Sequence, residues 1–250
     1  MKLELSGRTA LVTGSSRGIG RAIAEVLHGE GCKVALNGRT ARDLAAAAAD
    51  LPGAVVVAGD VTRPDDAQRI VAACVTAFGH LDILVCNVGG GHSVPPGEET
   101  YDEWQRVFAL NLWSTTNIIE AAWDVMAPNG VIICVSSICG LEVVPGAPVT
   151  YSAAKAALHA YVRGIARPLG QRGIRIHAVA PGNILFDDST WSRKLAEDAG
   201  LVEAMLQRDV ALSRLGTARE VAELVAYLAS PRAGFATGGV WPLDGGQLRS

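Results

Sequence analysis

Tyr151 and Lys155 lie one helical turn apart in "VTYSAAKAAL", with a serine and two alanines between them. At this spacing a phenol and an ammonium share one helix face. They can act together on one proton, or form no more than a polar stripe. A free phenol has a pKa near ~10, which suits it poorly to proton transfer at neutral pH. A neighbouring cation favours the phenolate and lowers that value, so Lys155 is expected to bring Tyr151 down. Upstream, "TGSSRGIG" at 13–20 places glycines where a strand-like run meets a helical pattern. Such a turn lets the backbone approach a pyrophosphate, and the helix N-terminus adds N–H donors and a positive dipole. The second strand-like run ends "ALNGRT", with Arg39 and no acid, while Arg17 lies in the glycine turn. An acid there bonds the 2′-hydroxyl of NAD, whereas an arginine grips the 2′-phosphate of NADP. The arginines therefore favour NADP(H), with NAD(H) as the alternative, unless both are simply solvated.

These residues need a frame. "TALVTG", "KVALN", "AVVVAG", "LDILVCNVG", "GVIICVSS", "IRIHAVAPG" and "GGVWPLDGG" read as seven buried strands, several apolar on both faces. Helical patterns separate them. One runs from Gly18 to Glu30, and the alanine run of "TARDLAAAAADL" reads as a strong helix former. In "TRPDDAQRIVAACVTAF" Thr62 is the expected N-cap, with Pro64 in the first turn. Capping boxes are expected at Thr100/Glu103, opening a single helix to Met126, and at Thr217/Glu220. Pro168 is expected to kink or end the helix that follows Lys155. Alternating strands and helices predict an α/β fold: a doubly wound, Rossmann-type parallel sheet of about seven strands with helices on both faces. One domain over 1–250 is the simplest reading. Residues 183–216 are a long insertion before the last strand, of the kind that forms a substrate loop or lid.

Composition narrows the classes. The 250 residues are 49% hydrophobic and 19% charged, as in a well-buried globular protein. Net charge is −3 with no dense Lys/Arg run, against a nucleic-acid or anionic-membrane surface. There is no apolar signal core in "MKLELSGRTALVTG" and no run of membrane-spanning length. The five cysteines form no CxxC pair, and three lie in strand-like runs, which points to free thiols in a cytoplasmic protein and to no metal.

In order along the chain, these motifs resemble those of the short-chain dehydrogenase/reductase family. "TGSSRGIG" is similar to its TGxxxGIG turn, "GDVT" to its adenine-contacting Asp–Val, and "CNVGG" to its NNAG segment. "NLW" supplies a helix asparagine, "VSSICG" a serine, "YSAAK" the YxxxK pair, "APGN" a Pro–Gly turn and "PLDGG" the closing strand. The resemblance implies Gly14, Ser16, Arg17, Gly18, Ile19, Gly20, Asn37, Arg39, Asp60, Val61, Asn87, Gly89, Pro181, Gly182 and Ile184 as cofactor contacts, together with Tyr151 and Lys155. It implies Tyr151 as general acid or base, Lys155 as the cation that tunes it, Ser137 as the partner of the substrate oxygen, and Asn111 as the holder of a relay water. The serine-to-tyrosine interval is one residue longer than the family's, so Ser136 is the fallback for Ser137. Phe186 stands where the family carries a nicotinamide-contacting threonine. His92 reads as a surface histidine, with substrate contact as the alternative, and His177 as a structural one; Trp104 and Trp191 are candidates to line a substrate cleft and Trp113 and Trp123 to lie at a subunit interface, though each reads first as a packing residue.

The expected activity is NAD(P)H-dependent interconversion of a carbonyl and a secondary alcohol, with NADPH-dependent reduction of a 3-oxoacyl-type substrate first. A sugar, polyol or secondary-metabolite alcohol dehydrogenase of the same family is the alternative. A rival of another class is a catalytically silent cofactor-binding regulator. The resemblance also implies a homotetramer or homodimer, a small-molecule carbonyl or alcohol substrate, and neither nucleic acid nor membrane as partner.

Overall fold

A computed structural model describes residues 2–249. The first half of the chain contains β1 (Thr9–Val12), α1 (Gly18–Gly29), β2 (Lys33–Gly38), α2 (Ala41–Ala48), β3 (Val55–Ala58), α3 (Pro64–Phe78) and β4 (Leu81–Cys86). Then come α4 (Tyr101–Phe108), a π-helical turn (Ala109–Trp113), α5 (Ser114–Ala122), β5 (Met126–Val135) and a 3-10 turn (Ile138–Gly140). The rest comprises α6 (Val149–Gln171), β6 (Arg175–Pro181), β7 (Ile184–Leu185), α7 (Thr190–Glu197), α8 (Ala199–Asp209), β8 (Gly216–Thr217), α9 (Ala218–Ala229) and β9 (Gly239–Leu243).

Seven strands form one sheet in the order β3-β2-β1-β4-β5-β6-β9, and every pairing is parallel. Side chains alternate along each strand, so each strand feeds two cores. Val12, Leu36, Ile83, Ile133 and Val179 pack with α1, α2 and α9 on one face. Leu11, Ala35, Leu84, Ile132 and Ala178 pack with α3, α5 and α6 on the other. Full burial of one such aliphatic chain contributes about 1.5–3 kcal/mol. This is the expected doubly wound sheet. The order reverses direction at β1, so the β1 and β4 carboxyl ends diverge around a crevice, the usual ligand site of this architecture.

Local expectations met several corrections. Arg63, not Thr62, is the N-cap of α3; the Thr62 hydroxyl donates instead to Asp60 Oδ1 at 2.8 Å. Thr100 caps α4, but the Glu103 side chain turns to Arg106 and Ser93, so the reciprocal box is not closed. The box at Thr217/Glu220 is complete. α6 runs through Pro168 to Gln171. The single helix expected up to Met126 is split by the π turn, and Met126 already belongs to β5. Residues 183–216 contribute β7, α7, α8 and the start of β8, with β7 and β8 paired as a small second sheet. No helix among the described residues is long and apolar enough to cross a membrane.

Candidate active site

α6 presents Tyr151, Lys155 and His159 at four-residue intervals, one above another on the face turned to the sheet. Lys155 is 2% exposed. Its Nζ donates to the Val135 carbonyl at 3.1 Å and lies 5.8 Å from the centre of the Tyr151 ring. Burial lowers Lys155 to about 8. Burial also pushes Tyr151 up to about 12, against the pull of the Ser137 hydroxyl. The expectation of a depressed tyrosine is therefore corrected. Desolvation of the phenolate is the dominant cause, opposed by the Ser137 hydroxyl and not by the ammonium, which stands off the ring. At neutral pH Tyr151 is a protonated phenol, a ready donor.

The two serines diverge. Ser136 extends the β5 ladder, its N–H donating to Val179 O at 2.7 Å. Its Oγ lies 2.7 Å from His159 Nε2, a buried contact. Ser137 is the N-cap of the 3-10 turn, and its Oγ accepts from Cys139 N at 3.2 Å. The family spacing left the choice open, and the geometry sets Ser137 beside Tyr151. His159 was missed in the sequence. Its only signal was the continued four-residue interval after Lys155.

Asn111 sits in the π turn, fully buried. Its Nδ2 donates to Val107 O at 3.0 Å and Gly90 O at 3.1 Å, and its Oδ1 accepts from Gly90 N at 3.0 Å. A Cβ on Gly89 would stand 2.9 Å from Asn111 Oδ1 and 3.0 Å from Lys155 Nζ. Asn111 and Lys155 thus meet at Gly89, behind the 89–91 turn.

The glycine turn after β1 is built for close approach. Gly14 and Gly18 have φ of 63° and 59°, in the left-handed region. A Cβ on Gly20 would fall 2.3 Å from Gly14 O and 2.4 Å from Asn87 Nδ2. Asn87 Nδ2 itself donates to Thr13 O and Gly14 O, both at 3.1 Å, tying β4 to the turn. Ser16 borders Gly38 at the end of β2, and Ile19 faces the cavity described below. Asn37 is fully buried at the end of β2, with Nδ2 bonded to Val57 O and Gly59 O. Its Oδ1 is one of three buried side-chain atoms without a partner among the described residues. Arg17 and Arg39 are exposed at the same sheet end, and neither guanidinium has an ion pair among the described residues. Asp60 is half-buried beside buried Val61. A bare glycine cradle, an unanswered buried acceptor and two unpaired guanidiniums fit a phosphorylated dinucleotide.

A cavity of about 910 Å³ opens from these groups. Ser137, Tyr151, Cys139 and Gly91 form its inner wall, with Pro181, Gly182 and Ile184 at the β6 end. Val143, Val144, Pro145, Phe186, Trp191 and Met205 give it apolar sides; Ser136, Glu142, Lys194, Arg208, Asp209 and Arg249 are among its polar lining. Phe186 also packs on the glycine turn, its ring 2.8 Å from where a Gly18 Cβ would be. Trp191, read as packing, lines the cavity with the Lys194 ammonium 4.7 Å from its ring centre. Trp104 packs on Phe108 instead. His92 is exposed, with Nε2 2.9 Å from Arg193 on α7. His177 is buried in β6 and accepts from Trp241 Nε1 at 3.1 Å.

Known proteins resemble this chain in sequence and in fold. A family model described as enoyl-(acyl carrier protein) reductase matches residues 14–247. The 3-oxoacyl-[acyl-carrier-protein] reductase of Escherichia coli K12 is 35% identical over 248 residues, covering 98% of each chain. The glucose 1-dehydrogenase of Gluconobacter oxydans is 33% identical over 255 residues, covering 98% of this chain and 93% of that one. Among solved structures, L-sorbose reductase from Gluconobacter frateurii, complexed with NADPH and L-sorbose, matches with a TM-score of 0.93 at 29% identity over the whole of both chains.

Proposed function

The chain belongs to the short-chain dehydrogenase/reductase family of NAD(P)-dependent oxidoreductases, and from that premise we propose that it is an NADPH-dependent ketoreductase with Tyr151 as its proton donor. The observation that carries this reading is the convergence of Ser137 and Tyr151 on one wall of a cavity that also reaches the Pro181–Gly182 turn, with Lys155 buried behind Tyr151.

Gly14, Ser16, Gly18, Ile19 and Gly20 would hold the diphosphate. Arg17 and Arg39 would take the 2′-phosphate, and Asp60 and Val61 the adenine, with Asn37 offering its unanswered oxygen nearby. Asn87, Gly89, Pro181, Gly182 and Ile184 would border the nicotinamide half, with Tyr151 and Lys155 on its ribose. When bound, the cofactor supplies the hydride. The protein must orient the carbonyl and deliver one proton. The Ser137 hydroxyl donates to the substrate oxygen and fixes its place. The Tyr151 phenol, protonated at neutral pH, transfers its proton to that oxygen as negative charge develops there. Lys155 is a cation below about 8, and it offsets the phenolate left behind. Asn111, whose side chain holds the 89–91 turn beside Lys155 through Gly90, would hold the water that links Lys155 to solvent as a proton relay.

The relatives divide between acyl and sugar substrates. The apolar sides given by Val143, Val144, Pro145, Phe186, Trp191 and Met205 favour an acyl or ring-bearing ketone over a free sugar. Steady-state turnover over a carbonyl and alcohol panel with both cofactors tests the reading. Tyr151→Phe is expected to lower kcat by about 10²–10⁴-fold while NADPH still binds. Undiminished turnover refutes the assignment. NADPH binding with no turnover across the whole panel favours the silent regulator.

A further inference from the structure

We propose that His159 is a positioning residue that decides which of two adjacent serines serves the reaction, by clamping Ser136 so that only Ser137 has a hydroxyl proton to offer. The inference rests on the carbonyl-reduction reading above.

The argument begins with donors and acceptors. His159 is 2% exposed. Its Nδ1 lies 3.1 Å from the Gly140 carbonyl and its Nε2 lies 2.7 Å from Ser136 Oγ. A carbonyl only accepts, so Nδ1 carries the ring hydrogen. Burial, with lesser help from the charges of Arg163 and Lys155 and against the Gly140 bond, drives the imidazole down to about 4, so it is neutral at working pH. A neutral ring protonated at Nδ1 has only a lone pair at Nε2. Ser136 must therefore donate, and a hydroxyl has one proton. That proton is committed. The Ser137 hydroxyl accepts from Cys139 N and faces Tyr151 on the cavity wall, where its proton can turn to a substrate oxygen.

The clamp also fixes distance. A Cβ on Gly140 would fall 2.6 Å from Lys155 C, 2.8 Å from Ala156 N and 2.8 Å from His159 Cε1. The 3-10 turn thus lies directly on α6 between Lys155 and His159, and the Nδ1–Gly140 bond holds it there. Ser137, Tyr151 and Lys155 are all referred to one helix through this contact. Placement of this kind is worth much in catalysis: an error of ~1 Å costs about a hundredfold in rate.

The test uses the full-length enzyme with NADPH and a ketone found in the panel. His159→Leu removes both bonds, and Ser136→Ala removes the serine. His159→Leu is expected to lower kcat about 10- to 100-fold, whereas Ser136→Ala, which removes the competing hydroxyl and keeps the Gly140 bond, should stay near the wild-type kcat, both with NADPH affinity by fluorescence titration unchanged. The double variant should fall no lower than the worse single. His159→Gln, whose amide can stand near Nε2 and accept from Ser136, should recover most of the lost kcat; His159→Asn, which reaches only Gly140, should recover less. Wild-type kcat in His159→Leu with only a lower melting temperature overturns the proposal, and so does a loss in Ser136→Ala as deep as that in His159→Leu. So do losses that multiply in the double variant, or equal recovery by Gln and Asn. If His159→Leu does not fold, Ser136→Ala and the amide variants decide alone. An active Tyr151→Phe sinks the ketoreductase reading itself; an inactive Tyr151→Phe beside a fully active His159→Leu sinks only the clamp.

Discussion

Acidification from pH 7 to pH 5 should destabilise the fold through two buried histidines. His159 and His177 both have an ordinary value of 6.5 and stand at about 4 in the folded chain, each driven there chiefly by burial. The folded rings stay neutral over this range while the unfolded chain takes up protons below pH 6.5. Stability is flat above pH 7, falls as pH drops through 6.5, and stops falling near 4. Linkage gives a loss of about 2 kcal/mol per histidine at pH 5, and about 4 kcal/mol for both if they act independently. That is a large share of the roughly 5–15 kcal/mol that holds a domain folded. Acidic partners act in a lower window. Glu103 and Glu220, each held at about 2 chiefly by its arginine, lose their stabilisation only as pH falls below 4.5. Urea unfolding followed by tryptophan fluorescence, at fixed protein concentration and at pH 7, 6 and 5, measures the loss. His177→Gln should reduce it to about half. A free energy that moves by less than about 1 kcal/mol over this range, or a slope untouched in His177→Gln, refutes the account of both rings as neutral and buried.

Three further outcomes follow from the site and the caps. Arg39→Ala should weaken NADPH binding about 10- to 100-fold, the loss expected of one charge-assisted phosphate bond, and leave NADH almost unchanged; equal effects in paired titrations count against the 2′-phosphate reading. Gly20→Ala should abolish dinucleotide binding, because its Cβ would sit 2.3 Å from Gly14 O; retained binding by calorimetry would mean that the turn yields more than its packing implies. Thr217→Ala opens the capping box of α9 and should lower stability by about 1 kcal/mol with kcat untouched, as read by thermal melting beside activity.

Much of the frame was legible because it depends on local pattern. Alternating strands and helices gave the parallel sheet, and a four-residue interval put Tyr151 and Lys155 on one face. What escaped depends on partners distant in sequence. Ser136 and Ser137 are neighbours of the same type, and only His159, 23 residues away from Ser136, separates their roles. Thr62 looked like a helix cap until Asp60 claimed its hydroxyl. The tyrosine's pKa was misjudged in sign because spacing reveals the nearby cation but not the depth of burial around the phenol. Phe186 marks a departure from the family pattern, yet nothing in the chain order foretold that its ring would rest on the glycine turn.

The π turn at Ala109–Trp113 has a consequence for how this chain can vary in length. The Ser114 N–H bonds back to Ala109 O, five residues earlier, so the helix carries one residue more than an α-helical course would need. Deleting a single residue there would leave a regular helix of good composition. Because the turn absorbs that extra residue, α4 and α5 would keep their phase, and the α5 face that packs on α3 would stay on its core. What would be lost is the local offset that sets Asn111 against Gly90. Variants one residue shorter in this turn should therefore emerge from deletion scanning as folded protein with impaired turnover, and misfolded products would refute the account.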